Sequence, residues 1–257
     1  TADAEIAEDA SALFNLLTGY SQGHQWKKLI VAPNDLHSRT LELIGSQAAL
    51  ASAGKPSRIF AKVNSLADHQ IIKALYSASQ AGVPIEILSR GICCLRPGVT
   101  GLSENIQVRS IVDRFLEHSR IFIFGEGIDA EVYLGSADWM PRNFFRRVEV
   151  MFPVLAEPLK ERLLTSIVPT YSDDTARARR LGSDGAYTLD TPLKKQAPQR
   201  SQIIFMEEAS AMSEAITQLP NHGSSKEKKQ SSGLIGARVS SRGNSSQRQN
   251  RSRSRKS

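Results

Sequence analysis

The residues of this 257-residue chain that are best suited to chemistry lie between positions 89 and 149. His118 is followed two positions later by Arg120, then by Gly135-Ser136-Ala137-Asp138 and by Glu149. An imidazole can act as nucleophile or acid, a guanidinium holds phosphate oxygens, a Gly-Ser turn permits close backbone approach, and a carboxylate orients the imidazole. The combination predicts phosphoryl chemistry at His118. A histidine bonded to a carbonyl at a helix end is the plainer alternative.

Arg90 is the second candidate, because it directly follows an apolar run and precedes Gly91. In that position its planar guanidinium could meet two phosphate oxygens at once. A solvated charge at a strand end is the more ordinary interpretation of a lone arginine. Arg120 has two similar interpretations, since it could be a second phosphate clamp or a charge on an edge strand.

Seven further residues are candidates to support this site. They are polar or charged residues in or beside the same apolar runs, namely Lys62, Asn64, Ser136, Asp138, Asn143, Arg147 and Glu149. A plain turn would also explain Ser136, and a surface ion pair would also explain Arg147 with Glu149. Asn143, Arg147 and Glu149 would orient His118 or bind the substrate chain. Ser136 and Asp138 would converge on an anion or orient a cation, and Lys62 and Asn64 would reach the site from the neighbouring strand.

Short apolar runs bounded by Gly, Pro and Asp must position these residues. They predict strands over 26–32, 58–63, 85–89, 121–124, 132–134 and 148–153, with helices over 3–17, from 36 to about 53, from Asp68, and over 157–167. The strand, helix, strand order of 58–89 predicts a parallel pair. Strand ends of such a sheet present side chains to a ligand.

One more helix is predicted over 109–118, where apolar residues recur at helical spacing. Arg109 and Asp113 would then form an i,i+4 pair. His118 would lie at the C-terminal end of this helix, where the helix dipole favours the imidazolium.

The motif around His118 resembles one half of a phospholipase D type site, with Arg120 where that superfamily has lysine. The longer strings resemble the C-terminal catalytic domain of polyphosphate kinase (type 1) more specifically; they are ILSRGICCLRPGVTGLSENIQVRSIVDRFLEHSRIFIFG and VYLGSADWMPRNFFRRVEVMFPV. The resemblance covers residues 1–172. It implies an α/β fold with a phospholipase D-like mixed or parallel sheet flanked by helices.

The resemblance also implies a reaction, in which the terminal phosphate of ATP passes to inorganic polyphosphate through a phosphohistidine. That histidine, and the ligands of the Mg²⁺ cofactor, would lie upstream of Thr1, so no metal ligand is expected in this chain. His118 would be catalytic, and Arg90, His118 and Arg120 would bind the ATP phosphates. A cytoplasmic homo-oligomer is implied, and this chain by itself is expected to be a weak kinase or an inactive one.

The charge distribution separates a basic C-terminal segment from the rest of the chain. Residues 221–257 contain ten Lys or Arg and one acidic residue, a net charge of +9, so −2 remains for residues 1–220 out of the total of +7. We therefore predict three parts: the catalytic domain over 1–172, an irregular extension over 173–220, and a disordered basic tail over 221–257. The tail could attract polyanions without being a specific nucleic-acid module, and no apolar run is long enough to span a membrane.

Two other function classes stay open on the sequence alone. One is a phospholipase D-like phosphodiesterase in which two copies pair and His118 is the nucleophile. The other is a non-catalytic module that binds ATP or polyphosphate, held by the folded site or mainly by the tail.

Overall fold

The computed structural model describes residues 2–19, 24–190 and 197–217. Within them, the α-helices span Ala4–Leu17 (α1), Leu36–Ser52 (α2), His69–Gln80 (α3), Pro141–Arg146 (α4), Glu157–Arg162 (α5), Val168–Ser172 (α6) and Ser201–Thr217 (α7). The strands span Ile30–Ala32 (β1), Ile59–Val63 (β2), Ile85–Ser89 (β3), Ile106–Ile111 (β4), Arg120–Phe124 (β5), Glu131–Gly135 (β6), Glu149–Pro153 (β7), Ala178–Leu181 (β8) and Tyr187–Leu189 (β9). A π-helical turn over Leu163–Ile167 joins α5 to α6.

All the described strands belong to one mixed sheet, in the order β1-β7-β6-β5-β2-β3-β4-β8-β9. The three central strands β2, β3 and β4 are parallel, and every other pairing is antiparallel. The predicted mixed α/β sheet flanked by helices is confirmed, including the parallel pair over 58–89.

Alternation along the central strands divides the core between the two faces of the sheet. Ile59, Ala61 and Val63 of β2 belong to the larger apolar cluster, to which α2 and α3 contribute. Phe60 belongs to the second cluster, with the helical residues 163–171. Helices therefore cover both faces, and polar side chains near the strand ends are left to form a site.

Local signals explain where several of these elements begin and end. Asp68 caps α3, since its Oδ1 accepts hydrogen bonds from the amides of Gln70 and Ile71, both at 3.0 Å. Asp3 caps α1 in the same way through the amide of Ile6 at 2.9 Å. Gly125, at a φ of +105°, lies in the turn that joins β5 to β6.

The predicted helix over 109–118 is wrong. Residues 106–111 form β4, which pairs with β3 and β8, and residues 112–119 are an irregular loop. Pairing with two neighbouring strands outweighs the local helical spacing, and Val112, Phe115 and Leu116 are largely exposed (66%, 48% and 69%). No helix dipole therefore acts on His118.

The predicted Arg109–Asp113 pair is wrong for the same reason. Arg109 forms an ion pair with Asp190 at 3.2 Å, whereas Asp113 forms one with Arg200 at 2.6 Å. Both partners come from residues beyond 172, so the later part of the chain holds this region together.

The range 173–220, which the sequence predicts to be irregular, contains β8, β9 and α7. The predicted disordered tail over 221–257 lies outside the described residues. Among the described helices, none combines the length and apolar character that crossing a membrane requires.

Candidate functional site

The strand directions bring the predicted site residues to one edge of the sheet. β2 and β3 end there, with Val63 opposite Ser89. β5 begins there and β6 ends there, because Arg120 pairs with Gly135. β7 also begins at this edge, since Gly135 pairs with Met151.

Asn64, which directly follows β2, links Arg90 to Asp138. Its amide oxygen accepts hydrogen bonds from Nη2 and Nε of Arg90, at 2.9 Å and 3.2 Å. Its backbone amide donates to Oδ1 of Asp138 at 2.8 Å. A Cβ on Gly91 would lie 2.9 Å from the Asn64 carbonyl oxygen, so glycine is needed where these two loops meet.

Arg120 connects Asp138 to His118. Its guanidinium donates to both carboxylate oxygens of Asp138, at 3.3 Å and 3.5 Å, in a pair that is almost buried. Its Nη1 also lies 3.0 Å from Nδ1 of His118 and donates to the His118 carbonyl at 2.8 Å. The imidazole itself is exposed to solvent. Arg120 is thus positioned to hold the exposed histidine in place.

Lys62 of β2 forms a buried ion pair with Glu117 at 3.0 Å. Its ammonium also donates to Oγ of Ser119 at 2.9 Å and lies 4.8 Å from the ring centre of Tyr171. Glu117 is only 8% exposed, and its carbonyl accepts a hydrogen bond from Nε of Arg90 at 2.9 Å.

Glu117 is the residue that sequence reasoning missed. It lies next to His118 in the EHSR motif, and that adjacency was the available signal. A single acidic residue in an apparent helix looks like a solvated charge, however, and only the fold shows that Lys62 faces it.

Burial lowers the pKa of the Lys62 ammonium from its ordinary 10.5. The Glu117 carboxylate opposes this effect, while the positive charges of Arg120 and Arg90 reinforce it. Burial, and then the Glu117 charge, raise the pKa of the Tyr171 hydroxyl. The cluster is therefore electrostatically coupled, with Lys62 stabilised as a cation mainly by Glu117.

Ser136, Asn143 and Glu149 form a separate group at the same edge. The Glu149 carboxylate accepts hydrogen bonds from Oγ of Ser136 and from Nδ2 of Asn143, the latter at 2.6 Å. These contacts hold Glu149 toward Ser136 and Asn143, and no contact joins it to His118 in the described part of the chain. Arg147 is exposed, and no ion pair joins it to Glu149 in the described part of the chain.

Arg90 differs from Lys62 and Arg120 in its charge pairing. Lys62 is paired with Glu117, and Arg120 with Asp138. Arg90 has only uncharged partners, and its Nη1 makes no hydrogen bond to the described residues. Arg90 is therefore a cation without a carboxylate partner among the described residues, bonded to a loop that exposes an imidazole, an arrangement that suits an anion.

The same residues do not fit a resident metal ion. The described part of the chain contains no group of three or more His, Cys, Asp or Glu side chains close enough to share one. The carboxylates of Glu117, Asp138 and Glu149 at this edge are already engaged by neighbouring side chains. These residues therefore do not form a Mg²⁺ site.

Comparisons with known proteins agree on one family. The family model described as Polyphosphate kinase C-terminal domain 2 matches residues 29–202. Among curated relatives, the polyphosphate kinases of Pseudomonas aeruginosa and Synechocystis sp. are each 48% identical over 211 residues, which is 82% of this chain. A crystal structure of polyphosphate kinase from Porphyromonas gingivalis matches with a TM-score of 0.78 and 34% identity over 84% of this chain.

The chain spans only part of each of these proteins. The matched region is 30% of the Pseudomonas aeruginosa protein, 29% of the Synechocystis protein and 33% of the crystallised chain. The chain therefore spans about a third of the length of these relatives.

Proposed function

This chain belongs to the polyphosphate kinase family, and on that premise we propose that its sheet edge binds the phosphates of ATP and polyphosphate during phosphoryl transfer. In the proposed reaction, the bond from the terminal phosphorus of ATP to the bridging oxygen breaks and ADP leaves. The phosphoryl group passes to a histidine outside this chain and then to the end of inorganic polyphosphate. The observation that carries the proposal is Arg90, a cation with only uncharged partners beside the exposed His118.

Each residue of the edge has a distinct part in this proposal. Arg90 binds phosphate oxygens through its unpartnered Nη1, while Asn64 and the Glu117 carbonyl fix the rest of its guanidinium. His118 donates a hydrogen bond to the phosphate and stabilises the departing oxygen. Arg120 orients His118, because its own donors are directed at Asp138 and at His118 itself.

Phosphoryl transfer depends mostly on positioning and on neutralising charge, which this edge can supply without a nucleophile of its own. Mg²⁺, which neutralises phosphate charge when bound, is proposed to be held outside the described residues. The cytoplasmic location and the self-association implied by the resemblance stay predictions, as does weak kinase activity of this chain alone.

Replacing Arg90 tests the anion site directly. We expect Arg90→Ala to weaken tripolyphosphate binding about tenfold to a hundredfold, the loss of a charge-assisted hydrogen bond. Arg58→Ala is the matched control, because Arg58 lies at the start of β2 and pairs with Glu86 at 3.4 Å, at the opposite edge. Isothermal titration calorimetry at physiological salt measures both affinities. Equal losses in the two variants would mean that general charge, including the basic segment 221–257, accounts for binding.

The fate of His118 separates phosphate binding from a phosphodiesterase mechanism. Mass spectrometry of the chain after incubation with ATP or with a phosphodiester should find His118 unmodified. A phospho-adduct on His118 would make it the nucleophile and would overturn its proposed role as a donor.

A further inference from the structure

The loop that carries His118 is held in an unusual way. Residues 112–119, here called the histidine loop, make no hydrogen bond between their backbone and any other backbone group in the described ranges. Instead, four carbonyls of the loop accept hydrogen bonds from side chains of other elements. Gln202 donates to the carbonyl of Phe115, and Arg90 donates to that of Glu117. Arg120 donates to the carbonyl of His118, and Lys62 donates to that of Ser119. The conformation of the loop therefore depends on those side chains.

Gln202 is the member of these four that contacts the loop from α7. It is 5% exposed at the start of α7. Its Oε1 accepts from the amide of Phe115 at 2.8 Å, and its Nε2 donates to the Phe115 carbonyl at 2.9 Å and to Oε1 of Glu117 at 2.7 Å. Both donors and the oxygen of the side-chain amide are used. Gln202 thus bonds both the amide and the carbonyl of Phe115, as the backbone of a neighbouring strand would do.

Glu117 connects Gln202 to Lys62 and Arg90. Its second carboxylate oxygen is paired with Lys62 at 3.0 Å, and its carbonyl accepts from Arg90 at 2.9 Å. His118 is the next residue along the chain. A displacement of Glu117 would therefore move His118 and Arg90 together.

The start of α7 is itself firmly anchored. The backbone amide and hydroxyl of Ser201 both donate to the fully buried Asp174, at 2.8 Å and 2.7 Å. The ring of Phe205 lies 4.9 Å from that of Tyr171, centre to centre. These contacts fix the start of α7, so Gln202 is a rigid support for the histidine loop.

We propose that Gln202 is a positioning residue for His118, through Phe115 and Glu117. It aligns the imidazole with Arg90 so that the two bind one phosphate group. The identity of that ligand rests on the proposed function, whereas the positioning of the ring by Gln202 does not.

The test compares Gln202→Met with Gln199→Met in the full chain. Gln199 is an exposed glutamine three residues earlier whose side chain makes no contact with the histidine loop. Tripolyphosphate affinity is measured by calorimetry. The ring signals of His118 are followed by NMR well below the unfolding temperature and assigned with His118→Gln. We expect Gln202→Met to shift the ring signals of His118 and to weaken binding about tenfold, whereas Gln199→Met changes neither.

Unchanged ring signals in folded Gln202→Met would overturn the inference, whatever the affinity. If wild-type chain binds no tripolyphosphate but the ring signals still move, the proposed function fails and the positioning role stands. Gln202→Glu provides a second variant in case Gln202→Met does not fold, because it keeps the acceptor for Phe115 and sets a second carboxylate against Glu117. Its ring signals should also move, and wild-type signals in that variant would count against the proposal.

Discussion

The two loops on either side of β4 are stabilised in opposite ways. The loop over 91–105 holds itself with backbone hydrogen bonds, such as those between Gly98 and Ser103 and between Ser103 and Val99, both at 2.8 Å. The histidine loop has no such bonds in the described ranges and depends on side chains of β2, β5 and α7 and of Arg90, which follows β3. The loop nearest the proposed chemistry therefore takes its geometry from side chains of other elements, and Lys62, Arg90 and Gln202 among them are distant in sequence.

Removing the buried cation behind the histidine loop should have the largest effect. Lys62→Met leaves the Glu117 carboxylate buried without its ionic partner, which we expect to cost about 3 kcal/mol of unfolding free energy. Lys55→Met is the control, since Lys55 is exposed and lies outside the site. Urea unfolding of both variants gives the comparison. If the two differ by less than about 0.5 kcal/mol, side chains do not support the loop as described.

A second segment held by a side chain extends the comparison away from the site. Asp9 is fully buried, and its carboxylate accepts hydrogen bonds from the amides of Lys27, Lys28 and Leu29, the shortest at 2.7 Å. Burial acts to raise its pKa, but those bonds and one from His24 outweigh it and lower the pKa from 3.8 to about 2. The carboxylate thus stabilises the folded state fully above the unfolded pKa, and this contribution is lost as pH falls from 3.8 through about 2.

Asp9→Asn should therefore reduce the free energy of unfolding by about 2 kcal/mol at neutral pH. The deficit relative to wild type should shrink as pH falls toward 2, because wild type then loses the same contribution. Glu8→Gln is the control, since Glu8 is exposed and forms a surface ion pair with Lys27. Denaturant unfolding across this pH range measures the deficit, and a deficit that is independent of pH would contradict the assignment.

The smallest effect should come from the self-supporting loop. Ser103 is fully buried, and its hydroxyl donates to the Arg96 carbonyl at 2.6 Å and accepts from the Val99 amide at 3.0 Å. Ser103→Ala should cost about 1 kcal/mol, while tripolyphosphate binding and the ring signals of His118 stay at their wild-type values. Ser77→Ala, at an exposed helical serine, is the control. A change at His118 in Ser103→Ala would show that the two loops are coupled.

The sequence predicted the part of this fold that local patterns encode. Apolar runs located β2 and β3, and Asp3 and Asp68 marked helix starts where the structure has them. Arg90 was expected at a strand end, and it does directly follow β3. These inferences needed only neighbouring residues or the direction of a strand.

The remainder depended on contacts that no local pattern carries. Residues 109–118 have helical spacing, yet two partner strands, one of them β8, draw residues 106–111 into the sheet. The bond from Gln202 to Glu117 joins residues 85 positions apart. Glu149 was expected to orient His118, but its carboxylate accepts hydrogen bonds from Asn143 and Ser136 instead.

A double-mutant cycle shows whether Arg90 and His118 bind the same anion. Tripolyphosphate affinity is measured for wild type, Arg90→Ala, His118→Gln and the double variant, with Arg58→Ala as the charge control. We expect the double variant to bind at least about fivefold more tightly than the two single losses added together would give, a coupling of about 1 kcal/mol. Strictly additive losses would mean that the two side chains act on separate ligands, and would contradict the site proposed for this edge.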